Sequence, residues 1–391
     1  MSKQNIKQEF RNIFGEFTEE PHVFFAPGRV NLIGEHTDYN GGYVLPCSIQ
    51  YGTLLAISLR KDNILKFHSA NFPFSTEIEI TKPLIKTGKE WVNYPLGVMK
   101  EFQDRGIKLG GMNLFFSGDI PNGAGLSSSA SVEMVTAFAL NKLFDSGFDT
   151  IDMIKMSQLA ENNFVGMNCG IMDQFAVGAG RKDKAVFLNC DTLDYDLVPL
   201  ILKDYSLIIT NTNKRRELAD SKYNERRTEC ETAVENLSKA KLIRNLSELT
   251  AERFEAIKNH IANPIILKRA QHVIYENKRT LDAVKALKKN DLNKFGKLMF
   301  QSHYSLKDDF EVSCNELDIL VEEAANIEGV LGSRMTGGGF GGCTVSLVKN
   351  DSIQIFKEKV GENYQKRTGL LADFYIAEAG EGVREVLEIK I

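Results

Sequence analysis

The stretch Pro121-Asn122-Gly123-Ala124-Gly125-Leu126-Ser127-Ser128-Ser129-Ala130-Ser131 separates a strand-like run, Met112 to Ser117, from Val132, Val135, Ala139 and Leu143, which recur at helical spacing. A helix therefore opens directly after the serines. Small residues let backbone N–H groups approach a bulky anion, and the unpaired amides and positive dipole end of the following helix attract it. A phosphate chain fits that chemistry. The same residues would also serve to turn the chain and cap the helix, because serine is a favoured cap. Neither GxxxxGK[ST] nor GxGxxG is present, so this is neither a Walker loop nor a dinucleotide fingerprint. Without a Walker lysine, phosphate charge must be met by the dipole, Mg²⁺ and other side chains.

Working outward, an amphipathic start (Ile6, Phe10, Ile13, Phe14) precedes a strand from His22 to Ala26 and a polar, turn-rich stretch, PGRVNLIGEHTDYNGGY. Strands are expected at Thr53–Leu59, Leu65–His68, Thr76–Ile80, Ala185–Leu188 and Tyr205–Thr210, and a helix at Ile151–Asn163. The second half carries long helix candidates at Glu217–Ala240 and Pro264–Leu287, then the glycine run GSRMTGGGFGGCTVSLV leading into a strand. The class is α+β. At 391 residues the chain exceeds what one core usually supports, so two domains are expected, 1–200 and 201–391.

Composition excludes more than it identifies. The net charge of −4, from 48 basic and 52 acidic residues, offers no global field for nucleic acid. The basic stretch at Lys214, Arg215, Arg216, Arg226 and Arg227 is interleaved with acids and reads as a solvated helix face. Six cysteines without a CxxC pair or histidines at zinc spacing read as free thiols in a reducing compartment. The polar N-terminus lacks a signal-peptide core, and no apolar run approaches the ~18 residues of a membrane span, so the cytoplasm is the default. No obligatory protein partner is indicated.

Two further segments gather reactive groups. Residues 28–40 bring Arg29, Glu35, His36 and Asp38 into one short stretch, and carboxylate and imidazole groups read hydroxyls well. A polyol is a reasonable ligand, although a polar loop is also an ordinary surface connection. Residues 161–174 place Glu161 and Asp173 near a helix end and in the loop after it. Phosphoryl transfer to an alcohol needs two such groups, one for Mg²⁺ and one to align and deprotonate the hydroxyl. A carboxylate at a helix end is more often simply an exposed charge or a cap.

The pattern P-x-x-x-G-L-S-S-S-A-S resembles the ATP-binding motif of the GHMP kinase superfamily, and GRVNLIGEHTDYNGGYVLP and NCGIMDQ resemble segments of its galactokinase family. The likeness spans essentially the whole chain. It implies an N-terminal domain like ribosomal protein S5 domain 2, a ferredoxin-like C-terminal domain, and a site between them that uses ATP and Mg²⁺ to phosphorylate the anomeric hydroxyl of D-galactose. On the matched positions Asp173 would be the catalytic base and Arg29 would lie beside the transferred phosphoryl group. Arg29 would also hold Asp173 ionised. Glu35, His36, Thr37, Asp38, Gly170 and Tyr223 would bind the sugar. Gly125, Leu126, Ser127, Ser128, Ser129, Ala130 and Ser131 would wrap the triphosphate, with Ser69 nearby. Ser131 and Glu161 would hold the metal. The glycine run from Gly332 to Gly342 matches the superfamily's C-terminal motif, which would support the first motif and the nucleotide site. Rival readings are an N-acetylgalactosamine kinase and a galactose-binding regulator that has lost catalysis. The complete serine loop, Arg29 and Asp173 favour an enzyme.

Overall fold

The computed structural model describes residues 5–15, 20–72, 75–88, 90–121, 124–214 and 219–387. In chain order they form α1 (Ile6–Phe14), β1 (His22–Asn31), β2 (Tyr43–Val44), β3 (Pro46–Leu59), β4 (Ile64–Ser69), β5 (Ser75–Glu79), α2 (Asn93–Asp104), β6 (Met112–Gly118), α3 (Ser128–Leu143), α4 (Thr150–Leu159), α5 (Met172–Ala179), β7 (Lys184–Asn189) and β8 (Tyr195–Pro199). The remainder forms β9 (Tyr205–Asn211), α6 (Ala219–Ser238), α7 (Ala251–Ile257), α8 (Pro264–Lys288), α9 (Leu292–Asp308), α10 (Asn315–Ala325), β10 (Val330–Thr336), β11 (Cys343–Lys349), α11 (Ile353–Thr368), β12 (Asp373–Ala377) and β13 (Arg384–Glu385).

A six-stranded sheet runs β13-β1-β3-β6-β4-β5, antiparallel except where β4 meets β6. Strand alternation divides its side chains between two faces. Phe24, Ala26, Leu55 and Ile57 join the core built with α2 to α5, whereas Val23, Phe25, Leu54 and Ala56 meet Ile6 and Phe10 of α1. Truncating a fully buried ring such as Phe24 would cost about 3–5 kcal/mol.

The antiparallel sheet β10-β11-β9-β12 is built the same way. Ile208 and Val348 pack with α10 and α11, while Leu207, Ile209, Val345 and Leu347 pack with Ala283, Phe295 and Met299 of α8 and α9. Val30, Leu32, Ile33 and Leu45 belong to that second cluster, so one core crosses from the first half of the chain to the second. The small sheet β2-β7-β8 lies beside it. Apart from β13, which returns to pair Glu385 with Phe24, the six- and three-stranded sheets use residues before 200 and the four-stranded sheet residues after 204.

Several local expectations are corrected. β1 continues past Ala26 to Asn31 because Val30 still packs inward, so PGRVN is strand rather than turn. The helix begun at Thr150, capped by the Asp149 carboxylate on Asp152 N–H (2.8 Å), ends as α-helix at Leu159 and widens into a π-turn over Ala160–Val165. Gly332 lies within β10, and only the later glycines of that run make the turn. Arg226 is buried and paired with Glu229, and Lys214 with Glu316, so they are not freely solvated. Arg215, Arg216 and Glu217 lie outside the described residues.

Candidate active site

β1 shifts register between Pro27 and Arg29. A Cβ at Gly28 would stand 2.7 Å from Leu126 O, so only glycine lets the strand pass there, and Arg29 N–H donates to the same carbonyl (3.1 Å). The serine loop is thereby pinned to the end of β1. Arg29 Nε and Nη2 donate to Asp173 Oδ1 (2.8 Å) and Oδ2 (2.9 Å), and Nη1 donates to Gly125 O (2.7 Å). This planar fork fixes the carboxylate's orientation as well as its charge. Burial opposes the arginine's charge, but Asp173 and Glu35 outweigh it and raise its pKa.

The loop after β1 is held from the other half of the chain. Buried Glu276 of α8 accepts from Gly34 N–H (3.0 Å), Glu35 N–H (3.4 Å), the Ser302 hydroxyl (2.5 Å) and Arg279 Nε (2.6 Å). Burial works against its charge, yet Arg279 and the other neighbours hold its pKa down to about 2. Arg334 of β10 donates to Glu35 Oε2 (2.8 Å) and Asn31 O (2.9 Å). Burial raises the Glu35 pKa against the pull of Arg334 and Arg29.

Glu35, His36 and Asp38 line a cleft of about 390 Å³ together with Arg29, Gly170, Asp173, Tyr223 and Gly337–Gly339. Burial pushes the His36 pKa down to about 3, so the ring is neutral, and its Nδ1 meets Tyr39 OH at 2.9 Å. Burial, followed by the charge of Asp173, pushes Asp38 up to about 7. A Cβ at Gly170 would lie 1.9 Å from Asp38 Oδ2, so any larger residue there would have to displace that carboxylate. Thr37 is fully buried and spends its hydroxyl on Gly34 O (2.9 Å) and Tyr43 O (2.8 Å). It shapes the turn rather than lining the cleft.

A second cavity of about 560 Å³ is lined by Ser69, Trp91, Tyr94, Phe116, Ser128 and Ser129, among others. The first turn of α3 therefore lies between the two spaces: Ser127 donates to Asp173 Oδ2 (2.5 Å) on one side, and Ser128 and Ser129 face the other. Leu126 and Ala130 are packed into the core, leaving only their backbone for a ligand. Ser69 Oγ accepts from Asn71 N–H (3.1 Å) at the rim.

Glu161 sits in the π-turn, accepts from Gln174 Nε2 (2.6 Å) and is hydrogen-bonded by Ser129. Burial and the charge of Asp173 raise its pKa. Ser131, matched to the metal by resemblance, faces the sheet instead: its hydroxyl lies 2.8 Å from Ala26 O and 2.9 Å from Thr53 Oγ1.

Comparisons with known proteins bear on this arrangement. The galactokinase galactose-binding signature matches residues 8–59, the GHMP kinase N-terminal domain residues 93–181 and the C-terminal domain residues 283–366. A galactokinase from Clostridium tetani is 50% identical over 99% of this chain and 98% of its own length, and one from Fusobacterium nucleatum is 52% identical over 98% and 99%. The chain belongs to the galactokinase family. Within the GHMP kinases this is a family of ATP-dependent sugar kinases. The structure of Lactococcus lactis galactokinase complexed with galactose superposes with a TM-score of 0.95, at 44% identity over 98% of this chain and 99% of that one. A mevalonate kinase structure, at 18% identity and TM-score 0.65, shares the fold.

Some residues around this galactokinase-family site escaped the sequence reading. Glu133, fully buried in α3, shares the Gln174 amide with Glu161 (3.0 Å to Glu133 Oε2), and burial with the charge of Glu161 raises its pKa far above the usual range. Its signal was position: Glu133 follows Ser129 by one helical turn. His272 and Glu276 of α8 also stand one turn apart among apolar residues, and His272 Nε2 meets Glu35 O at 3.1 Å. Trp91 and Tyr94 of the second cavity belong to no quoted motif.

Proposed function

We propose that this chain transfers the γ-phosphoryl group of ATP to the anomeric hydroxyl of D-galactose, giving α-D-galactose 1-phosphate. The observation that carries the reading is Arg29 gripping both oxygens of Asp173 and the carbonyl of Gly125 where the sugar loop meets the serine loop. Asp173 is the base, aligning the sugar hydroxyl and receiving its proton, and Arg29 orients its carboxylate and faces the charge of the moving phosphoryl group. Glu35, neutral His36, Asp38 and Tyr223 present acceptors and donors to the sugar, and the Gly170 backbone leaves Asp38 its room. The N–H groups opening α3 hold the phosphates. The cavity with Ser69, Trp91 and Tyr94 receives the base and ribose.

Among the described residues no group of three or more His, Cys, Asp and Glu side chains could hold a metal. Mg²⁺ is commonly bound through one or two carboxylates with substrate phosphates and water, and a carboxylate with a hydroxyl suits it. Glu161 with Ser129 fits that requirement, and the crowding of Glu133, Glu161 and Asp173, which raises the Glu133 and Glu161 pKa values, is a repulsion that a cation would relieve. Bound Mg²⁺ supplies neutralisation of the triphosphate. Ser131 supports the loop from the sheet side.

Residues up to about 200 contribute both loops, and the later half closes the site through Glu276, Arg334 and Tyr223. No helix among the described residues is long and apolar enough to cross a membrane. The need for ATP as co-substrate favours the cytoplasm as its location. ADP release with Mg-ATP and a panel of D-galactose, N-acetylgalactosamine, glucose, mevalonate and homoserine tests the reading. Turnover confined to galactose supports it, and turnover on another acceptor alone replaces the substrate.

A further inference from the structure

Ser127 precedes α3 at the cap position, where serine ordinarily accepts from a first-turn N–H group. It makes no such bond. Its backbone is left-handed, with φ 61° and ψ 51°, a conformation that disfavours every side chain with a Cβ. In that conformation its hydroxyl, with the residue 7% exposed, donates to Asp173 Oδ2 at 2.5 Å. Two ordinary preferences of serine are thus given up for one contact with a carboxylate. Strain of this kind persists where surrounding structure fixes it, commonly at functional sites.

The contact closes a ring. Arg29 holds Gly125 O and both oxygens of Asp173, and Ser127, two residues along the chain from Gly125, holds Asp173 Oδ2. The loop that would seat the phosphates and the carboxylate that would receive the sugar proton are therefore tied at two points. The unused cap also leaves the opening N–H groups of α3 available to an anion.

Resting on the kinase reading above, we propose that Ser127 is a positioning residue for Asp173, and that its hydroxyl acts on the carboxylate rather than on the phosphates. Its left-handed conformation trades stability for that aim. Glycine at this position would relieve the strain and remove the hydroxyl together, whereas alanine would remove the hydroxyl and keep the strain.

The test compares Ser127→Gly, Ser127→Ala and Asp173→Asn with the parent full-length enzyme, measuring Tm, kcat and both KM values with Mg-ATP and galactose. The expectation is that Ser127→Gly melts no lower than the parent while Ser127→Ala melts lower. Both lose about 10- to 100-fold in kcat, the scale of one hydrogen bond to a charged group, with each KM within about threefold. In the Asp173→Asn background, Ser127→Gly adds little further loss. A Ser127→Gly enzyme with parental kcat, or one whose loss lies wholly in the ATP KM, overturns the proposal. An Asp173→Asn enzyme with parental kcat overturns the underlying assignment of the base instead.

Discussion

Arg334, in a strand of the second half, donates to Glu35 of the loop after β1 at 2.8 Å, and both side chains are buried, with 0% and 2% exposed. A pair so enclosed is costly to break, because the surviving partner is left charged without solvent. Arg334→Met should destabilise the protein by about 3–5 kcal/mol, read as a lower urea midpoint. Adding Glu35→Leu should recover part of that loss and weaken galactose binding. Equal stability of Arg334→Met and the parent would remove this pair from the account.

Asp38 pays in stability for its place in the cleft. With its pKa pushed from 3.8 to about 7, the folded chain binds a proton between those values that the unfolded chain does not. Its contribution to stability therefore falls as pH rises from about 4 to 7, and the full cost of the buried charge is present above 7. Asp38→Asn should raise Tm relative to the parent more at pH 8 than at pH 5, and should weaken galactose binding at both. Thermal melts across pH, paired with calorimetric titration of galactose, decide it. A stability difference independent of pH would contradict the shifted carboxyl.

Gly170 is set by its neighbour. Because a Cβ there would stand 1.9 Å from Asp38 Oδ2, Gly170→Ala must displace that carboxylate. The galactose KM should rise at least tenfold, with the ATP KM within about twofold, since the second cavity is lined by other residues. Steady-state kinetics with each substrate varied in turn give the answer. Parallel rises in both KM values would point to a general distortion.

How much of this was legible beforehand follows from what each residue answers to. β4, expected at Leu65–His68, formed as Ile64–Ser69, and α8, expected at Pro264–Leu287, formed as Pro264–Lys288, because local periodicity and the Asn263-Pro264 start dictate them. Arg29, Asp173, Glu35, His36, Asp38, Gly170 and Tyr223, named from separate segments, meet in one cleft. Side-chain direction was not legible: Thr37 and Ser131 stand in the right motifs but turn into the loop and the sheet, since tertiary packing decides where a hydroxyl points. The supporting residues Glu276, Arg334 and Glu133 were also missed. They act across long chain separations, and only the assembled fold brings Glu276 to Gly34 or Arg334 to Glu35.

The central claim is that Asp173, oriented by Arg29, serves the chemical step. Asp173→Asn keeps the side chain's size and removes its basicity, so the decisive measurement is ADP release with Mg-ATP and galactose for this variant, alongside calorimetric binding of both substrates. The account predicts galactose and nucleotide affinities within about tenfold of the parent and turnover reduced at least about a thousandfold. Turnover near the parental rate in Asp173→Asn, or a parent enzyme that binds galactose and releases no ADP, would contradict it.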